Sequence, residues 1–405
     1  MKRNYCRLVL LAALAVLPAF PWANSTIHLE DPLKNPGFVH FYNLEYDQAL
    51  VDFDEQALCH PDDPFPYNAI AQTVLFREMF RDGALESELV TGTNPFLRRP
   101  KMQISAENKQ RFNSAINRAI ELSRARLQKN PEDIGALYSL VVAHGLRANY
   151  LFLVEKAWLD SLHEATEARK ANDKILALVP DFVDAHLASG MSEYIVGCLP
   201  MYMRILGKIR GFHGDKEDGI RQLEWVAHAG TLDRYDASVL LAAIYRREHR
   251  PKQAIQLLNG LVATFPRNYL FRFEQVQMYS DLGDKQSALQ VLAQIRDLHD
   301  SGSPGYAALP LQRIQYAKGN LLFWYGDLDP ALADLKQATR NSNDLDLNTA
   351  VMAWLRLGQV YDLKGEHAQA VKAYRETLKT APQSAPALEA EGYISTPYHR
   401  KPTTG

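Results

Sequence analysis

Little in this chain of 405 residues points to chemistry, and the absences narrow its function first. Charge of one sign is missing. A net charge of −2 gives no global pull toward nucleic acid or acidic lipid, so either partner would need a local patch. Cysteine is scarce, with three in all. Cys6 precedes an apolar run, on the wrong side for a lipoprotein anchor, and Cys59 and Cys198 lie far apart. Their pairing is left open by the sequence, with two buried free thiols as the expected state. Catalytic signatures are also missing. There is no Gly-x-Ser-x-Gly elbow, and Gly207-Lys208 is followed by Ile, with Tyr202 where a phosphate loop needs Gly. His163-Glu164 lacks a second His one helical turn after the first, which excludes that zinc arrangement. Asp215, Glu217 and Asp218 resemble a calcium loop only in charge, because its Gly and closing Glu are absent, and His213 beside them reads as a turn residue. No enzyme activity, cofactor or metal is expected. Past residue 23 no segment reaches the ~18 apolar residues of a membrane span, and none reads as a strand.

What the chain does have begins with Lys2, Arg3 and Arg7, followed by the unbroken apolar run Leu8 to Val16. Pro18, Pro21 and Ala23 come before the polar Asn24-Ser25-Thr26. Residues 1–23 read as a secretory signal peptide, with an uncleaved membrane anchor as the alternative. The expected location is outside the cytoplasm, in the periplasm or cell envelope if the source is bacterial.

Near the other end a second pattern organises the chain. Counted from Val351, Trp354 falls at position 4, Leu357 at 7, Gly358 at 8, Tyr361 at 11, Ala370 at 20, Tyr374 at 24 and Pro382 at 32. Small residues at 8 and 20 let two antiparallel helices cross closely, and the large apolar residues fill the space around that crossing. Pro382 stops the second helix. This pattern is identified as a tetratricopeptide repeat, a helix pair of about 34 residues. Only Thr377, at position 27 where Ala is usual, departs from it. Ala254 and Ala288 stand one such period apart at position 20, with Tyr245 and Tyr279 at position 11. Ala331 and Ala370 follow, spaced wider by the polar loops at 301–305 and 341–344.

The sequence therefore predicts an all-α chain, an α-solenoid of antiparallel helix pairs in one continuous superhelix. Four regular units cover 235–384, and a divergent helical array covers 37–230. In that array Gly37, Ala49, Phe53 and Pro61 mark a partial first pair, Pro61, Pro64 and Pro66 a turn, and Ser105 the start of a helix reaching Lys129. Residues 385–405 are expected to be a flexible tail.

Between the two arrays come Leu199-Pro200, the apolar stretch Ile205 to Ile209, Gly211-Phe-His-Gly-Asp215 and Gly219. This order is similar to the middle of the inclusion-body-clearance family of tetratricopeptide proteins. The resemblance implies a non-catalytic helical protein linked to lipid-droplet or protein-quality-control partners. On physical grounds Gly211 and Gly214 suit a tight turn and Asp215 a helix cap. The alternative is peripheral membrane contact by 199–210, with Met201 and Ile205 on one side and Arg204 and Lys208 on the other.

The tetratricopeptide resemblance also implies a concave groove lined by positions 2, 5, 9 and 12 of each first helix. Carried onto this chain, the candidate groove residues are Arg246, Phe273, Gln277, Arg313, Tyr316, Asn320, Phe323 and Gln359. Aromatics and side-chain amides of this kind suit an extended or helical peptide. Val239 and Ala243, then Phe273 and Gln277, replace the Lys and Asn that would clamp a peptide carboxylate. A protein or peptide partner is expected, and nucleic acid is not.

Overall fold

The computed structural model describes residues 30–85, 101–199 and 214–400. The expected signal peptide lies outside these residues, as does all of the 199–210 stretch except Leu199. Among the described residues seventeen α-helices follow one another and no strand occurs. The first eight are α1 (Pro36–Tyr42), α2 (Tyr46–Cys59), α3 (Pro64–Arg81), α4 (Ala106–Lys129), α5 (Ile134–Tyr150), α6 (Trp158–Leu178), α7 (His186–Gly197) and α8 (Lys216–Ala229). Then come α9 (Arg234–Arg247), α10 (Pro251–Thr264), α11 (Tyr269–Asp281), α12 (Lys285–Asp300), α13 (Leu311–Tyr325) and α14 (Leu328–Arg340). The last three are α15 (Leu347–Leu363), α16 (His367–Thr380) and α17 (Ala385–Ser395). Each packs mainly on its sequence neighbours, as a solenoid requires.

The helix starts follow from local chemistry. A short polar side chain accepts a hydrogen bond from a free amide of the first turn at Ser105, Asp133, Asp215, Asn268, Asp284, Asp346 and Ser384. Pro64 and Pro66 belong to the first turn of α3 and not to a turn between helices. Asp63 caps that turn, and the missing proline donors have no partner to lose there.

The crossing geometry is the one that the small residues predict. Ala49, Ala254, Ala288, Ala331 and Ala370, all at position 20, are each 0% exposed. A Cβ on Gly358 would lie 2.3 Å from the Tyr374 ring, and one on Gly37 would lie 2.6 Å from Phe53. In α7 and α8 the same role passes to Gly190 and Gly219, where a Cβ on Gly219 would meet the Gly190 carbonyl at 2.6 Å. Thr377 is also fully buried, and its hydroxyl donates to the Ala373 carbonyl at 3.1 Å, so the departure from Ala leaves no polar atom unpaired.

Three expectations change. Cys59 is exposed at the end of α2 and Cys198 is half-buried; both are free, but neither is buried. Ile134–Glu155 is long and apolar enough by composition to cross a membrane. More than half of that window is nevertheless buried, with Leu137, Leu140 and Val141 in the core, so it serves here as a central core helix. The expected flexible tail begins with an ordered helix, because α17 buries Ala387 and Ala390 against the last pair. Residues 396–400 then run back over α15 and α13.

The N-terminal pair also reaches far along the chain. Tyr42 stacks on Phe265 at 4.8 Å, and its hydroxyl donates to Asp236 at 3.0 Å. Asn268 donates to the Tyr42 carbonyl at 2.8 Å, and Arg267 grips Glu45 with two bonds of 2.7 and 2.8 Å. Arg234 pairs with Asp31. The array thus closes on itself between residues 31–46 and 234–269, and one core runs from Phe38 to Met278.

Candidate partner-binding surface

The wall predicted to face the groove is carried by the first helices of the C-terminal units, α9, α11, α13 and α15. On α9, Arg246 donates to Asp281 at 2.9 Å and to Gln277 at 3.2 Å, joining the ends of two successive units. On α11, Phe273 is buried, with the Arg313 guanidinium over its ring at 5.2 Å. Arg313 is itself paired with Asp346 at 3.1 Å. Tyr316 is buried in the same core as Met352 and Leu357.

The third group is the tightest. Arg356 is only 5% exposed, and its guanidinium lies over the rings of Phe323 and Trp324 at 4.4 and 4.8 Å. It donates to Asn320 at 2.8 Å and to Gln359 at 2.6 Å. Two neutral amides and two rings hold this charge, and among the described residues it has no ion-pair partner.

The eight predicted residues therefore come together as three linked clusters. Six of them are buried: Phe273, Arg313, Tyr316, Asn320, Phe323 and Gln359. Arg246 and Gln277 are the half-buried pair. Each first helix leans on the next, so side chains at positions 5, 9 and 12 meet one another before they meet solvent. Sequence reasoning missed Arg356, which sits one turn of helix away from the expected positions, and Trp324, which follows the last of them. Trp324 is 55% exposed. It borders an open cleft of about 360 Å³ with Ser280, Asp281, Leu282, Gly283 and Tyr325.

At the C-terminal end the surface is occupied by the chain itself. The Tyr398 amide donates to Asp362 at 2.8 Å, and the Tyr398 ring packs edge-on to Tyr393 at 5.3 Å and against Phe323 at 6.1 Å. Arg400 donates to the Phe323 carbonyl and lies over the Phe323 ring at 5.1 Å. Asp362 also accepts from His367 and from the Tyr374 hydroxyl. Its bond raises the His367 pKa, and burial together with Asp362 raises that of Tyr374.

Elsewhere the titratable groups are paired for structure. Glu164 accepts from His144 at 2.6 Å and faces Arg147 at 3.0 Å; burial pulls its pKa up, but these two donors hold it below its ordinary value. Among the described residues no group of three or more His, Cys, Asp or Glu side chains is placed to hold a metal ion.

Among comparisons with known proteins, a match to a family model agrees with this architecture. A family model described as tetratricopeptide repeat matches residues 206–268 and 316–385. No curated protein matches the sequence. Among solved structures, yeast Tom70 aligns at 11% identity over 90% of this chain and 88% of its own, with a TM-score of 0.41. A human IFIT1 dimer with PPP-AAAA aligns at 14% identity over 86% and 94%, with a TM-score of 0.31.

Proposed function

This chain is a tetratricopeptide-repeat protein, and we propose that it is a non-enzymatic scaffold that is exported and holds protein or peptide partners along the concave wall of its C-terminal repeats. The observation that carries the location is Trp324, an exposed indole beside an open cleft where the ends of α11 and α13 meet. Interfaces draw most of their energy from a few Trp, Tyr and Arg side chains set against pockets. Gln277 and Arg246 continue the same edge with amide and guanidinium donors. The basic start and apolar run of residues 2–16 support the export part of the reading.

The test uses two partly exposed side chains of that edge. A crosslinking pull-down from envelope extract compares the wild type with a Trp324→Ala, Gln277→Ala double variant. Proteins enriched by the wild type should fall at least about tenfold with the variant at unchanged melting temperature, as expected for truncating a central aromatic anchor. Recovery of the same proteins by a folded double variant would refute this surface as the recognition site.

A further inference from the structure

We propose that the surface formed by Phe323, Asp362 and Tyr393 is a docking site for an extended partner segment carrying an aromatic residue and, two residues later, an arginine. Its own 396–400 segment occupies that site as a displaceable stand-in. The inference rests on the groove reading above and supplies the chemistry of the partner.

The occupant is already in place. Thr396 is extended (φ −129°, ψ 105°) and Pro397 holds it so, because the proline ring disfavours a helical residue before it. The Thr396 amide still closes the last turn of α17 on the Gly392 carbonyl and Pro397 has no amide to offer, so the first donor that the segment can present is the amide of Tyr398. That amide is bound by the buried Asp362 carboxylate, a charge-assisted bond made to backbone and so indifferent to sequence. Selection comes from the two side chains on either side of His399. The Tyr398 ring fills the angle between Phe323 and Tyr393, and Arg400 combines a ring face with the Phe323 carbonyl at the end of α13, whose other donor is the Gly326 amide. The carbonyls at a helix end attract cations. Gly326, at φ 86°, caps that helix, and a Cβ there would stand 3.4 Å from the Arg400 guanidinium, so the turn leaves room for it.

The same geometry makes the stand-in replaceable. His399 and Arg400 are exposed and Tyr398 is only half-buried. Arg400 also shares the Phe323 ring with Arg356, a like charge without an ion-pair partner among the described residues. The surface beneath stays complete when the segment leaves, since Asp362 keeps His367 and Tyr374 as donors.

The experiment keeps the full chain and frees the site by two substitutions, Tyr398→Ala and Arg400→Ala. A fluorescent peptide of sequence Ser-Thr-Pro-Tyr-His-Arg, blocked at both ends, is titrated against this variant and against the wild type by anisotropy. If the native segment fills the site most of the time, the freed variant should bind at least about tenfold more tightly, because apparent affinity scales with the open fraction. Peptides with Ala for Tyr or Ala for Arg should each lose about tenfold or more. Equal binding to both proteins, with helicity and melting unchanged, would overturn the proposal, as would equal binding of the Ala peptides. A concentration-dependent dimer of the wild type that disappears in the variant would also overturn it, since the occupant would then be a second copy. Failure here with the Trp324 result intact removes the stand-in and leaves the scaffold. Success here with no partner lost in the Trp324 variant does the reverse.

Discussion

Tyr42 and Tyr374 are both buried tyrosines whose hydroxyls donate to an aspartate, but they hold different structures together. Tyr374 finds Asp362 and Gly358 within its own helix pair. Tyr42 finds Asp236, Tyr235 and Phe265 almost two hundred residues or more along the chain. The C-terminal units form a linear stack in which each pair depends on its neighbours. The N-terminal array is closed on itself, with a single core from Phe38 to Met278. Stability in a linear stack is a sum of local terms, whereas a closed turn couples its two ends.

The largest effect should come from breaking the closure. Tyr42→Ala removes the two ring contacts across the closure and the bond to Asp236, and truncating a buried aromatic costs about 3–5 kcal/mol. Hydrogen exchange should show lost protection in α9 and α11 as well as in α1. If protection in α9 and α11 stays at its wild-type level, the two turns are not coupled.

A perturbation of the linear stack should stay local. Gly358→Ala forces a methyl to within 2.3 Å of the Tyr374 ring, which cannot retreat because it is fully buried and tied to Asp362. Overpacking of this kind costs about 1–3 kcal/mol. Exchange should quicken in α15, α16 and α17 and remain unchanged in α1 to α8. Spread into those helices would mean that the two halves share one cooperative unit.

This contrast also marks what was legible in the sequence. The helix pairs were, because close crossings demand small residues at fixed positions within a pair, and alanine stands at position 20 in five of them. Two helix starts were also legible, through the caps Ser105 and Asp215. The closure was not. Asn43, Glu45, Arg267 and Asn268 are ordinary loop and helix-end residues whose pairing across turns leaves no period to detect. The surroundings of the candidate wall were not legible either: Phe323 and Asn320 are covered by Arg356, whose role depends on how α13 leans on α15. The 396–400 segment escaped because two side chains and one amide hold it, without repetition.

The smallest effect concerns the chemistry at the closure. Burial pushes Asp236 up to about 6, only partly offset by hydrogen bonds from Tyr42 and Gln72, and Asp233 is raised well above its ordinary value by burial and by the charge of Asp236. An unfolded aspartate titrates near 3.9. Between about pH 4 and 6 the folded state therefore keeps a proton that the unfolded state has lost, and stability falls as pH rises through that window. The cost is absent below it and complete above it. Acidifying from pH 7 to 5 should stabilise the closed turn by about 1 kcal/mol, since each unit of pKa shift is worth about 1.4 kcal/mol. The opposing carboxylate at the same contact, Glu45, is desolvated but held below its ordinary pKa by Arg267 and His40, so it stays ionised throughout this range. Asp236→Asn keeps an acceptor for Tyr42 and removes the titration. Exchange protection in α9 should rise between pH 7 and 5 in the wild type, after correction for intrinsic rates, and should rise less in the variant. An equal rise in both would place the acid response elsewhere and leave the closure as a contact of rings and amides.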